Sequence, residues 1–127
     1  GDFHPGNVLW TDAGAHLVDL DDCRSGPAVQ DVWMLLSGER ADMTRQLAEI
    51  VEGYEEFHDF DRRQFALIEP LRALRLIAYT AWLARRWDDP AFPMAFPWFN
   101  TVKYWEEQVL TLREQVRRLE AEPLRLG

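Results

Sequence analysis

Asp2 and Asn7 stand five positions apart in the stretch Gly1-Asp2-Phe3-His4-Pro5-Gly6-Asn7, and Asp19 follows within Val18-Asp19-Leu20-Asp21-Asp22. Pro5 and Gly6 predict a loop rather than a helix between the first two. A carboxylate, an amide and a second carboxylate are side chains that phosphoryl transfer calls for. One carboxylate orients the attacking hydroxyl, while the amide and the other carboxylate hold magnesium on the nucleotide phosphates. Asp2 would take the first part, Asn7 and Asp19 the second. Taken singly, each has a plainer use: a loop acid, a turn amide, a strand-end acid. The spacing, with a proline inside it, favours the joint reading.

For the three to meet, the chain must reverse between Asn7 and Asp19. Residues 7–11 read as a strand, Asp12-Ala13-Gly14 as a turn, and residues 15–20 as the return strand. A hairpin of this kind brings Asp19 back to the loop. Asp21 would share the strand face of Asp19 and could reach a second magnesium, unless Arg24 neutralises the group. His4 is expected to support the loop by hydrogen bonding, and His16 to be structural.

Gly-Asp-x-His-x-x-Asn followed by Val-Asp-Leu-Asp-Asp resembles the aminoglycoside phosphotransferase and choline kinase branch of the protein-kinase-like superfamily. The segments 26–36, 69–73 and 87–93 are similar to bacterial serine/threonine protein kinases of the stress-response type within that branch. The resemblance covers nearly the whole chain and matches only the C-terminal lobe of that family. It implies a mainly α fold with a short β-hairpin, the C-terminal lobe of the kinase-like α+β fold, over residues 1–127. The N-terminal nucleotide-binding lobe is absent from this stretch, which reads as a fragment because the family pattern places a His before Gly1.

The resemblance also implies an activity. ATP, with magnesium, would give its γ-phosphate to a serine or threonine hydroxyl of a protein, in the cytoplasm, by a monomer. Residue by residue it makes Asp2 catalytic and Asn7 and Asp19 the ligands of magnesium and nucleotide, and it makes Asp31 a support of the loop. Leu20-Asp21-Asp22 departs from the Phe-Gly that follows the metal Asp in protein kinases. Kinases also need a Gly-rich loop and a strand lysine. Lys103, in the last predicted helix, is the only lysine and no Gly-x-Gly-x-x-Gly exists, so this stretch alone should turn over little or not at all. Three alternatives stand beside this reading. They are a small-molecule kinase for an aminoglycoside, choline or amino alcohol; a non-catalytic helical binding module; and a metal-dependent hydrolase built on Asp2, His4, Asp19 and Asp21.

Composition sets the remaining bounds. A chain of 127 residues with 47% apolar content can bury a core. The net charge of −8 argues against a nucleic-acid partner, which needs clustered Lys and Arg. Cys23 is alone, so no intrachain disulfide forms, and charged residues interrupt every apolar run before about twenty residues, which predicts no membrane segment. Downstream, Gln30-Asp31 opens a short apolar helix to Leu36. A longer helix over 41–57 carries Met43, Leu47, Ile50, Val51, Tyr54 and Phe57 as a core stripe. Asp61 and Gln64 have the form of a capping box, opening a run to about Trp87 in which Pro70 predicts a break or kink near Glu69. Residues 71–83 read as a central buried helix. Residues 87–99 alternate proline with aromatics, either strapped over a helical core or facing a substrate. Asn100 or Thr101 caps a last helix whose Trp105, Val109, Leu112, Val116 and Leu119 form a narrow apolar stripe. No internal domain boundary is visible.

Overall fold

The computed structural model describes residues 1–127. The fold is mostly helical with one antiparallel hairpin near its start. Strand β1 (Val8–Thr11) pairs with β2 (Gly14–Leu17) in the register Val8↔Leu17, Leu9↔His16, Trp10↔Ala15 and Thr11↔Gly14. Asp12 and Ala13 make the turn, and Gly14 takes φ +111°. Thr11 Oγ1 accepts from the Ala13 N–H at 3.2 Å and lies 2.9 Å from His16 Nε2, a contact internal to the hairpin. The return strand is shorter than predicted. It stops at Leu17, because Asp19 has φ +59° and leaves the extended region.

The chain divides into two compact units, residues 1–68 with 123–127, and residues 69–122. The first division falls inside a helical run, where no Gly- or Ser-rich linker marks it in the sequence.

In the first unit, helix α1 (Arg40–Glu55) sets Met43, Leu47 and Val51 one turn apart on a buried face. Val29, Trp33, Phe60, Phe65 and Ile68 are buried in the same unit. The Phe60 ring lies 5.1 Å from Tyr54 and 5.5 Å from Phe65. Phe57, predicted to continue the stripe, is 89% exposed, because α1 ends at Glu55 and its periodicity ends there too. Leu47 has no exposed surface, so Leu47→Ala is expected to cost about 2–5 kcal/mol, read as a lower urea midpoint at unchanged slope.

The predicted helix after Gln30 is instead two 3-10 turns, Ala28–Asp31 and Trp33–Leu35, the form that very short helical pieces adopt. Asp31 therefore ends a turn rather than opening a helix. A further 3-10 segment, Arg62–Leu67, is capped by Asp61, whose Oδ1 accepts from the Arg63 N–H at 3.1 Å. Hydrogen bonds from the Arg63 side chain and then its backbone hold the Asp61 carboxyl below its usual range. Gln64 does not return a bond to Asp61 as a capping box would. Its Oε1 accepts from the Val29 N–H at 3.1 Å and ties this segment to the turn at 28–31.

Helix α2 (Ile68–Arg85) follows directly. Pro70 is its third residue, in the first turn, where an N–H would have no helical partner. In place of the break or kink predicted near Glu69, 3-10 gives way to α between Leu67 and Ile68. The second unit holds α2 from Glu69 on, with α3 (Ala91–Ala95) and α4 (Val102–Glu120). α2 is not buried all round: Leu74, Ile77, Tyr79 and Trp82 are exposed, while Leu83 is buried.

α4 meets α2 along a polar line. Thr80 Oγ1 lies 2.7 Å from the Tyr104 hydroxyl and accepts from Gln108 Nε2 at 3.1 Å. The buried Gln115 donates from Nε2 to the Glu69 carbonyl at 3.0 Å and to Glu69 Oε2 at 2.9 Å. This line fixes the inward face of α4, so most of the predicted stripe (Trp105, Val109, Val116 and Leu119) stays exposed. Thr101 caps α4, its Oγ1 accepting from the Tyr104 N–H at 3.1 Å. The proline–aromatic stretch packs Phe92 on Trp82 of α2 at 5.2 Å and Phe99 on Tyr104 of α4 at 5.0 Å, and pairs Trp87 with Phe99 within itself at 4.9 Å. No helix is long and apolar enough to cross a membrane.

Candidate active site

The first seven residues are held by main-chain groups, the His4 ring and the amides of Asn7 and Gln30. Pro5–Asn7 forms a single 3-10 turn, not an irregular loop, because proline at the first position gives up no hydrogen bond there. The Asn7 N–H donates to the His4 carbonyl at 2.9 Å, and His4 Nδ1 accepts from the Gly6 N–H at 3.1 Å. Asn7 is buried, and its Nδ2 donates to the Asp2 carbonyl at 2.9 Å. With Nδ2 committed to the loop, Oδ1 is the amide atom that can meet a cation. Asn7→Ala leaves that carbonyl without its donor, and a loss of about 1–3 kcal/mol in urea unfolding is expected.

The hairpin makes the reversal. The Val18 N–H donates to the Asn7 carbonyl at 3.1 Å, one step beyond the Val8↔Leu17 pair. Asp19 thus emerges beside the loop. Its φ of +59° lies in the left-handed region, which Asp and Asn tolerate better than most side chains and which collects at functional sites. Asp21 does not share a strand face with Asp19. β2 has already ended, and residues 20–23 turn back, the Cys23 N–H donating to the Leu20 carbonyl at 3.1 Å. Arg24 Nη2 is 3.7 Å from Asp22 Oδ1, and both side chains are well exposed, so the pair contributes little.

The start of the loop rests on the 28–33 region. Gln30 Nε2 donates to the Gly1 carbonyl at 2.8 Å, and Trp33 Nε1 holds Gln30 Oε1 at 3.2 Å. Asp31 Oδ1 lies 3.0 Å from the Gly1 nitrogen. Gln30 was not singled out by the sequence. Its signal was an uncharged polar residue ahead of the apolar run 32–36, next to the acid that drew attention instead. On the other side, a β-carbon on Gly1 would overlap the Asp22 carbonyl oxygen, so the 19–22 turn lies hard against the loop.

Asp2 and Asp19 line one cleft of about 580 Å³, with Phe3, Leu17, Val32 and Ile50 among its apolar walls. Magnesium takes oxygen ligands and is commonly held by one or two carboxylates plus substrate phosphates, not by an all-protein cage. Asn7 Oδ1 and the Asp19 carboxylate are donors of that type. No group of three or more His, Cys, Asp or Glu side chains converges, so Asp2, His4, Asp19 and Asp21 do not make the cluster that a metal-dependent hydrolase would use.

The family model described as "Phosphotransferase enzyme family" matches residues 1–68, the main segment of the first unit. The chain is 56% identical over 126 residues to "Stress response kinase A" of Escherichia coli (strain K12). It is 55% identical over 126 residues to "Serine/threonine protein kinase RdoA" of Salmonella typhimurium and to "Stress response kinase A" of Shigella flexneri. Each match covers 99% of this chain, and the chain spans 38% of the length of these curated relatives.

Proposed function

This chain belongs to the phosphotransferase enzyme family, and from that premise we propose that it supplies the catalytic loop of an ATP-dependent serine/threonine protein kinase. The similarity to kinases, one of them named a serine/threonine protein kinase, supports the protein acceptor. The observation that carries the reading is a pair of bonds, Asn7 Nδ2 to the Asp2 carbonyl and Val18 N–H to the Asn7 carbonyl. The first ties Asn7 to the Asp2 main chain and the second brings the chain back to Asn7 just before Asp19, which supports a joint role for the three in phosphoryl transfer.

In this reading Asp2 accepts a hydrogen bond from the acceptor hydroxyl and aims its oxygen at the γ-phosphorus. An ordinary carboxylate suffices, because in a loose transition state the hydroxyl proton leaves late. Asn7 Oδ1 and Asp19 would hold magnesium, and Gln30 and Asp31 fix the loop through Gly1. When bound, magnesium would screen the charge that develops on the phosphate oxygens. Transfer also calls for a Gly-rich loop and a strand lysine. Lys103 does not serve, as it lies on α4 and faces Glu107 at 3.9 Å. Those parts are assigned to a nucleotide-binding lobe elsewhere in the full-length protein, and residues 1–127 alone are expected to give no transfer.

The test is phosphate transfer from γ-labelled ATP by the full-length gene product. A generic protein, the enzyme itself and a set of aminoglycosides are offered in parallel, each with an Asp19→Ala control. Label on protein that disappears in the control is the expected result. Label confined to a small molecule would overturn the protein acceptor. Absence of both transfer and magnesium–ATP binding would overturn the roles given to Asp2, Asn7 and Asp19.

A further inference from the structure

We propose that α4 is a dimer seam: its apolar stripe pairs antiparallel with the same stripe of a second copy of this chain, in place of the monomer that the resemblance implies. The stripe is Val102, Trp105, Val109, Leu112, Val116 and Leu119, an alternation of three and four that repeats every seven residues. Leu112 is half-buried, and the other five are between 41% and 77% exposed. One edge of the stripe is already engaged within the chain. Tyr104 and Gln108 meet Thr80 of α2, and Gln115 meets Glu69. Those bonds turn that edge toward α2 and leave the apolar seam uncovered.

The other edge is charged. Glu106, Arg113 and Glu120 stand seven apart along it, and none of them enters an ion pair. The remaining charged residues of α4 all pair along the helix: Lys103 with Glu107 at 3.9 Å, and Glu114 with Arg117 at 3.3 Å and Arg118 at 3.6 Å. Two copies laid antiparallel with full overlap set Val102 against Leu119 of the second copy, Trp105 against Val116 and Val109 against Leu112. Every layer then joins a valine to a larger side chain. In that register Glu106 and Arg113 of the second copy flank the same gap between layers. The twofold axis makes the pair again with the roles exchanged, the reciprocity that a closed interface between identical chains needs. A parallel pair has no such match. It would set the charged edge against Gln108 and Gln115 of the second copy, whose amides are committed to Thr80 and Glu69. The size fits a modest dimer. The 19 residues of α4 make a rod about 28 Å long. A single helix pair of that length lies at the small end of stable interfaces, so association in the micromolar range is expected.

The test is sedimentation equilibrium of the full-length gene product over a series of concentrations spanning the micromolar range. A monomer–dimer equilibrium is expected. Glu106→Arg and Arg113→Glu each turn both attractive contacts into repulsive ones, and each should weaken the dimer about 5- to 30-fold. The double variant restores opposite charges across the seam with their signs exchanged, and should return to within about threefold of wild type. Both side chains are exposed, so the melting temperature of the dilute protein should stay nearly unchanged in all three variants.

A monomer at every concentration would overturn the proposal. Strong protection of the α4 amides from hydrogen exchange in that monomer would assign the stripe to another segment of the same polypeptide instead. A dimer that both single variants leave intact, or that the double variant fails to restore, would overturn the antiparallel seam. None of these readouts uses phosphate transfer, so they stand or fall separately from the function proposed above.

Discussion

Asp19→Ala in the full-length protein is expected to lower kcat on the order of a thousandfold or more, with loss of the magnesium dependence of nucleotide binding. The proposed role makes Asp19 one of only two protein donors to the metal, so no neighbour can take its place. The backbone adds a second, independent signature. At φ +59° a β-carbon costs about 1 kcal/mol or more, and an Asp side chain softens this only in part. Asp19→Gly should therefore be as inactive as Asp19→Ala yet more stable than it by about 1 kcal/mol, and no less stable than wild type. Urea midpoints of the three proteins measure this. An Asp19→Gly protein less stable than Asp19→Ala would show that the left-handed conformation is not a source of strain.

Asp2→Asn is expected to lower kcat about 10²- to 10⁴-fold while leaving nucleotide KM within about twofold. The contrast with Asp19 lies in this split. Asp2 is proposed to act on the acceptor hydroxyl and Asp19 on the nucleotide's metal, so one variant should change turnover alone and the other should change binding as well. Steady-state rates at varied ATP and varied magnesium distinguish them. Equal effects of both variants on nucleotide KM would contradict the separate roles.

The parts of this site that are short in sequence were legible, and the parts set by packing were not. The hairpin shows in residues 8–17 because a turn with a glycine after it stands between two short apolar runs, and each of those signals is local. The left-handed turn at Asp19 does not show, since the residue is followed by more acids and no glycine marks the conformation. The helix over residues 41–57 was legible as α1 because Met43, Leu47 and Val51 repeat at the helical period. Phe57 repeats at that period too, and only the end of the helix keeps it out of the core. The two helices of the second unit misled for a further reason. Their apolar residues outnumber what their contact buries, and the contact runs instead through Thr80, Gln108 and Gln115, which a hydrophobicity pattern ignores. Gln64 shows the same limit. Its spacing from Asp61 matches a capping box, but a more distant backbone N–H at Val29 claims its side chain.

Two of the bonds that fasten the loop end on main-chain carbonyls, those of Gly1 and Asp2. Those two bonds do not depend on which residue stands at position 2. An enzyme whose key acid also braced its own loop would collapse locally when that acid was removed, and its partners would be lost along with its chemistry. Here those two bonds do not involve the acid's side chain. A protein carrying Asp2→Asn should keep the shape that its substrates meet while being unable to release them as product, which makes it a natural bait. Chemical crosslinking to such a bait in growing cells, compared with the same protein disrupted at Asn7, would separate proteins that dock at the catalytic loop from those that adhere elsewhere.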